Sequence, residues 1–175
     1  MVDGQLRPNR INDPRLLAAM GEIPRERFLP PSMAARAYVD EDVRLPGGRA
    51  LIEPMVIAKL IQLLAIRDGD RVLVVGAGAG YAAAVASRCG ARVVALEEDA
   101  DLAAGARRAL AGMTAPDALR LVEGPLAKGF AEGAPYDGIL IEGEVPEVPA
   151  AIADQLAEGG RLAMVLAAAS RGVSS

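Results

Sequence analysis

Residues 72–85 read VLVVGAGAGYAAAV. A short apolar run, Val72 to Val75, breaks into glycines at Gly76, Gly78 and Gly80, and an alanine-rich stretch follows. That order predicts a strand, a tight turn and the start of a helix. Glycine has no Cβ to keep a ligand away from the backbone, and the first turn of the helix presents N–H groups with no partner inside the helix. The stretch is a docking point for something polar.

The spacing narrows the ligand. A dinucleotide turn of the form GxGxxG needs glycine at position 81, whereas this chain has Tyr81 and reads GxGxG. A second apolar run, Ala91 to Leu96, ends on Glu97, about 20 residues beyond the first glycine, where such folds hold the ribose of an adenosine cofactor. S-adenosylmethionine is the closer match, and a nicotinamide dinucleotide stays open because a ribose acid serves both. Gly76, Ala77, Gly78, Gly80 and Tyr81, with Glu97 and its neighbour Glu98, are the candidate cofactor contacts. The plain alternative is a βαβ crossover with a glycine turn and a solvated acid.

With 175 residues, 52% of them hydrophobic, the chain suits one compact domain, with residues 1–52 as an N-terminal segment and 53–175 as the core. A net charge of −4 and no dense Lys/Arg cluster argue against a nucleic-acid partner. The N-terminus MVDGQLRPNR lacks an apolar signal core, and the longest apolar stretch, Val72 to Ala86, is shorter than the roughly 18 residues of a membrane span. A cytoplasmic protein with no membrane contact is expected. Cys89 is the only cysteine, so no internal disulfide or cysteine metal site is expected, and it reads as a small core residue in a helix. The chain has no histidine, which removes the commonest general base and the usual zinc ligand; no metal is expected. Methyl transfer from a sulfonium to a carboxylate needs no imidazole, because a carboxylate is already ionised near neutral pH and requires alignment rather than deprotonation.

From residue 53 onward the pattern alternates helix and strand, the signature of a parallel sheet with helices on both faces. Helices are expected over 53–66, with Pro54 at its start, over 99–113, and over 147–157, stopped by Gly159-Gly160. Strands are expected over 71–75, 92–96, 119–122, 138–141 and 162–166. Ahead of these, Asp13 caps a short helix with Pro14 at its first position, a proline-bounded turn is expected around Pro24 and Pro30-Pro31, and a second helix after it through Ala37. Residues 38–54 read as irregular, turning at Gly47-Gly48. This N-terminal segment is either a lid over the ligand or a packing extension.

Across almost its whole length the chain resembles the protein-L-isoaspartate O-methyltransferases. The resemblance is carried by MVDGQL (1–6) with Asp13, AMGEIPRERFLP (19–30), AYVDEDV (37–43), EPMVIAKL (53–60), VLVVGAGAGY (72–81), VALEED (94–99), APYDGI (134–139) and QLAEGGRL (155–162). It implies an α/β, Rossmann-like S-adenosylmethionine-dependent methyltransferase fold with an N-terminal helical extension. It also implies methylation of the α-carboxyl of L-isoaspartyl residues in damaged proteins, a repair reaction. By resemblance, Gly76, Gly78 and Gly80 approach the cofactor's methionine part, Glu97 holds its ribose, and residues 47–54 contact the substrate.

The substrate segment is also where the chain departs from its family. The family has a threonine or serine, an apolar residue, a serine, a polar residue and proline; here stand Ala50, Leu51, Ile52, Glu53 and Pro54, preceded by Arg49. The serine hydroxyl that would bond the substrate carboxyl is replaced by Ile52, and restoring it would strengthen acceptor binding if the position faces the substrate. Glu53 adds a negative charge, which Arg49 would offset. An acid of the first strand is replaced by Val74, and one after the third strand by Pro125. Family members continue beyond the fifth strand with a final pair of strands, so 162–169 is expected to be an exposed apolar edge; either the chain is truncated or this edge pairs with a second copy as a homodimer. Two functions therefore stand side by side: a methyltransferase acting on an isoaspartyl peptide or another small carboxylate, and a degenerate cofactor-binding or interaction module without that activity.

Overall fold

The computed structural model describes residues 1–2, 6, 10–29, 37, 43–44, 50–115 and 117–166. In chain order, the elements are α1 (Pro14–Glu22), β1 (Val43–Arg44), β2 (Ala50–Leu51), α2 (Pro54–Leu64), β3 (Arg71–Val75), α3 (Tyr81–Arg88), β4 (Arg92–Glu97), α4 (Ala100–Leu110), β5 (Leu119–Glu123), β6 (Tyr136–Val145), α5 (Ala150–Ala153) and β7 (Leu156–Leu166).

Five parallel strands form the sheet in the order β5-β4-β3-β6-β7. The chain enters at the centre with β3, builds outward through β4 to β5, and then crosses back to lay β6 on the other side of β3. Strand order reverses between β3 and β6, and open α/β sheets bind ligands in the crevice at the carboxyl ends of such a pair. Val75, the last residue of β3, pairs with Leu96 on one side and Ile141 on the other, so the glycine turn leaves the sheet at this crevice.

Alternation along β3 divides the core. Val72 and Val74 face a large apolar cluster fed by α1, α2, α3 and the end of α4, while Leu73 and Val75 face a second one with Leu96, Val122, Tyr136, Ile139, Ile141 and Ile152. The expected helices on both faces are present at full length only on the first. Among the described residues, the second face is packed by Ile152 of the four-residue α5 and by Leu126 and Phe130, in or beside single 3₁₀ turns.

The N-terminal segment begins as its sequence predicts. Asp13 caps α1, its carboxylate accepting from the N–H groups of Arg15 at 3.0 Å and Leu16 at 3.4 Å. The proline-bounded turn is present as a single 3₁₀ turn, Arg25–Phe28, and Leu29 after it is extended because the residue before a proline is biased out of the helical region. The second helix expected through Ala37 falls in the stretch that follows. Residues 30–36 lie outside the described residues. The segment expected to be irregular contains a small antiparallel pair, Val43 opposite Leu51 and Arg44 opposite Ala50; Gly47-Gly48 lie outside the described residues. Cys89 closes α3 rather than lying within it, and burial pushes its thiol up to about 11, with Asp13 adding to the rise and Arg15 opposing it.

The last third corrects the sequence reading most. The helix expected over 147–157 spans only Ala150–Ala153, since Pro149 blocks an earlier start and Gln155 is drawn into the sheet's edge. Gly159-Gly160 do not stop a helix; they lie inside β7, where Gly159 takes φ +75°. A Cβ on Gly160 would stand 3.0 Å from the carbonyl oxygen of Asp137, so glycine here lets β7 approach β6 through a register shift. β6 likewise extends beyond the expected 138–141.

Gln155 fixes this corner. Its side-chain oxygen accepts the Phe130 N–H at 2.9 Å, its amide donates to the Lys128 carbonyl at 2.8 Å, and its own carbonyl accepts the Tyr136 N–H at 2.9 Å. Gln155→Leu keeps the volume but strips a partly buried donor and acceptor of their partners. Urea unfolding is expected to record a loss of about 2–4 kcal/mol, the cost of two unsatisfied groups; a loss below about half a kcal/mol would mean that water replaces the amide.

Candidate active site

The glycine turn hangs from the end of β4. The Leu96 carbonyl accepts the N–H of Gly76 at 2.9 Å and that of Ala77 at 3.0 Å. Glu97, fully buried, reaches under the turn: Oε1 accepts the Gly78 N–H at 2.7 Å, and Oε2 accepts those of Glu98 at 2.7 Å and Asp99 at 2.9 Å. Three of the roughly four acceptor positions of a carboxylate are thus taken by backbone amides. Glu98 beside it is exposed, and Asp99 caps α4 by accepting from Asp101 and Leu102. The three acids at the end of β4 therefore do different work, one under the turn, one in solvent and one on a helix.

The three glycines also differ. All have positive φ, +76° at Gly76, +55° at Gly78 and +97° at Gly80, where L side chains are strained. A Cβ on Gly80 would stand 3.2 Å from Leu110 and 3.3 Å from Ala106, so Gly80 lets α3 close onto α4. A Cβ on Gly78 would meet nothing nearer than the Gly76 carbonyl at 3.9 Å. Gly80 serves packing, and Gly78 leaves room beside the backbone.

The expected substrate segment meets this turn through a residue that sequence reasoning did not single out. Arg25, fully buried, donates from Nε to the Ala37 carbonyl and from Nη2 to the Ile52 carbonyl at 3.1 Å. Its guanidinium lies 4.7 Å from the centre of the Tyr81 ring, which also receives Phe28 edge-on at 5.4 Å. Ile52 and Tyr81 are therefore neighbours across one side chain. The only signal in the sequence was a cation set among prolines and apolar residues in IPRERFLP. Ile52 itself is 8% exposed within the main apolar cluster, Pro54 is buried, and Glu53 is half-buried at the N-cap of α2, where its side chain does not cap the helix. Ala50 lies in β2, and Arg49 lies outside the described residues.

Three further positions lie at or near the carboxyl ends of the strands. Glu142, half-buried, follows Ile141 at the crevice end of β6, an acid interrupting the apolar run GILIEGEV that sequence reasoning also passed over. Val74 is wholly buried between Ala95 and Leu140, and Pro125 precedes a 3₁₀ turn. Among the described residues, no group of three or more His, Cys, Asp or Glu side chains is placed to hold a metal, and no helix is long and apolar enough to cross a membrane.

A sequence model of the family described as protein-L-isoaspartate(D-aspartate) O-methyltransferase matches residues 2–171. The chain belongs to this family. A protein-L-isoaspartate O-methyltransferase of Methylorubrum populi is 44% identical over 162 residues, covering 93% of this chain and 76% of that protein. Among solved structures, a protein-L-isoaspartate O-methyltransferase superposes with a TM-score of 0.76 at 31% identity, over 88% of this chain and 51% of that one, so the chain spans about half its length. A Plasmodium falciparum structure of the same description, in complex with S-adenosyl-L-homocysteine, gives a TM-score of 0.77 at 22% identity over 92% of this chain and 80% of that one. The fold is the Rossmann-like fold of S-adenosylmethionine-dependent methyltransferases.

The different surroundings of the glycines lead to different costs. Gly80→Ala combines a left-handed backbone with two contacts near 3.2 Å and is expected to lose about 2–4 kcal/mol in urea unfolding, whereas Gly78→Ala carries the backbone cost alone, about 1–2 kcal/mol. Equal losses would remove the distinction.

Proposed function

We propose that this chain is an S-adenosylmethionine-dependent methyltransferase acting on the α-carboxyl of L-isoaspartyl residues in proteins and peptides. The observation that carries the reading is the glycine turn at the sheet's switch point, held from below by the buried Glu97 and with space beside Gly78. The residues fit the cofactor: Gly76, Ala77 and Gly78 would take its methionine part, Tyr81 would open the helix beside it, and Glu97 would turn one oxygen out from under the turn to take the ribose hydroxyls, with the exposed Glu98 at its side. Held there, S-adenosylmethionine would supply an electrophilic methyl group for an oxygen of the acceptor carboxylate, with S-adenosylhomocysteine as the leaving group. The protein need move no proton, which suits a chain without histidine. Its work is alignment and exclusion of water.

Residues 50–54 would receive the acceptor. The N-terminal end of α2 carries partial positive charge that favours a carboxylate, while Glu53 at its N-cap opposes it. The same reading includes residues 1–52 acting as part of one domain with 53–175, and a cytoplasmic setting. A second reading, a cofactor-binding module or a methyltransferase of another small carboxylate, draws on Ile52, a buried aliphatic side chain with no hydroxyl to offer an acceptor.

Calorimetric titration with S-adenosylhomocysteine, followed by methyl transfer to an isoaspartyl peptide, tests both halves. Binding is expected for the parent protein. Glu97→Ala, which strips three amides of their acceptor and removes the proposed ribose partner, is expected to weaken it about tenfold or more, on the scale of about 1.5–3 kcal/mol for a bond to a charged group. An unchanged dissociation constant in folded Glu97→Ala rejects the ribose role; binding without transfer to the peptide favours the second reading.

Ile52→Ser examines the acceptor side. Because Ile52 packs in the core, the variant is expected to lose about 2–4 kcal/mol of stability through the void and the buried hydroxyl, with no rise in methyl transfer. A rise of about tenfold in kcat/KM would instead place position 52 against the acceptor.

A further inference from the structure

Among the described residues, Arg25 stands first by volume of the fully buried side chains, and the proposed reaction leaves it without a part to play. Its burial is not explained by stability, because an ion withdrawn from water is expensive and a well-packed apolar side chain of similar volume commonly serves a core as well or better. What an apolar side chain cannot do is what Arg25 does. A planar fork donates to two carbonyls from separate segments, Ala37 and Ile52, while the guanidinium lies over the Tyr81 ring. One carbonyl belongs to the N-terminal segment, the other to the peptide unit directly before Glu53-Pro54, and the ring opens the helix after the glycine turn. Three segments distant in sequence are set against one another by a single rigid group.

From this geometry we infer that Arg25 is the positioning residue of the acceptor site: it fixes the Ile52 peptide unit relative to the cofactor turn. The inference rests on the proposed methyltransferase reading. With isoleucine at position 52, the backbone is what the segment can present to an acceptor carboxylate, so its orientation replaces the missing hydroxyl as the determinant of acceptor affinity. Arg25 does not touch acceptor or cofactor in this scheme. It acts through Ile52 and Tyr81.

Two substitutions test this. Arg25→Lys keeps the charge but loses the planar fork and the stacking; Arg25→Gln keeps one donor, carries no charge to bury, and folds where an ammonium is not tolerated. In both, KM for an isoaspartyl peptide is expected to rise about tenfold, with kcat and the dissociation constant of S-adenosylhomocysteine within about threefold of the parent, and Lys is expected to recover none of the loss relative to Gln. A structural role alone would lower the melting temperature without splitting KM from kcat. Hydrogen exchange gives a readout independent of activity: amides of residues 50–53 should exchange about tenfold faster or more in either variant while those of β3 and β4 stay unchanged. Faster exchange at 50–53 in a protein that never methylates the peptide would overturn the methyltransferase reading and leave the positioning contact standing. Unchanged exchange there, or KM and cofactor affinity changing in equal proportion, would overturn the inference.

Discussion

A carboxylate sealed from water holds the glycine turn, and the rest of the site is arranged around it. Glu97 is 0% exposed, and withdrawing its charge from solvent costs several kcal/mol. The cost is offset by three short amide bonds, from Gly78, Glu98 and Asp99, each stronger than its neutral counterpart because the acceptor is charged. The same residue's backbone carbonyl accepts the Gly124 N–H at 3.1 Å, tying the exit of β5 to the exit of β4. One residue thus sets the geometry at the carboxyl ends of two strands and beneath a turn whose left-handed glycines would otherwise sample many conformations. The turn is therefore shaped before any ligand arrives, which spares binding the entropy of ordering it.

Arg25 does for the N-terminal segment what Glu97 does for the turn. Both are fully buried charges that grip the chain through backbone groups, carbonyls in one case and amides in the other. Backbone partners make these contacts insensitive to which side chains stand at the joined positions. That explains how Ile52 can replace a family serine without dislodging its segment. The peptide unit is held by its carbonyl, and the isoleucine side chain adds apolar contact in the main cluster. Val74 follows the same logic inside β3: at the position where the resemblance implies an acid, this chain places an apolar side chain wholly inside the core.

The parts of this arrangement legible in the sequence are those fixed locally. The β3 run, the glycine turn and α3 declare themselves because the strand's apolar run, the need for positive φ and the helix's small residues lie close together between Val72 and Val85. Asp13 with Pro14 declares α1 for the same reason. Arg25 was not legible because its partners lie 12 and 27 residues away and are carbonyls, which leave no trace in side-chain identity. Glu97 was legible as a candidate acid by its place at the end of β4. That it faces inward was not, since direction depends on where the Gly78 N–H points once the turn has formed.

Gly159-Gly160 show how one residue type can mislead. A glycine pair after a helical pattern reads as a stop, because glycine ends helices by entering the left-handed region. Here the demand comes from the neighbouring strand: β7 must gain residues relative to β6 between the pairs Tyr136–Leu156 and Gly138–Arg161, and only a residue without Cβ passes the Asp137 carbonyl at that distance. The requirement is set by the register of two strands, which a window of sequence around residue 160 does not contain. Both readings agree that glycine is needed and differ on what crowds it. The crowding partner decides the effect of substitution: beyond a helix end an added methyl meets solvent and backbone strain alone, whereas at Gly160 it also meets Leu156 at 2.9 Å and forces β7 away from the sheet.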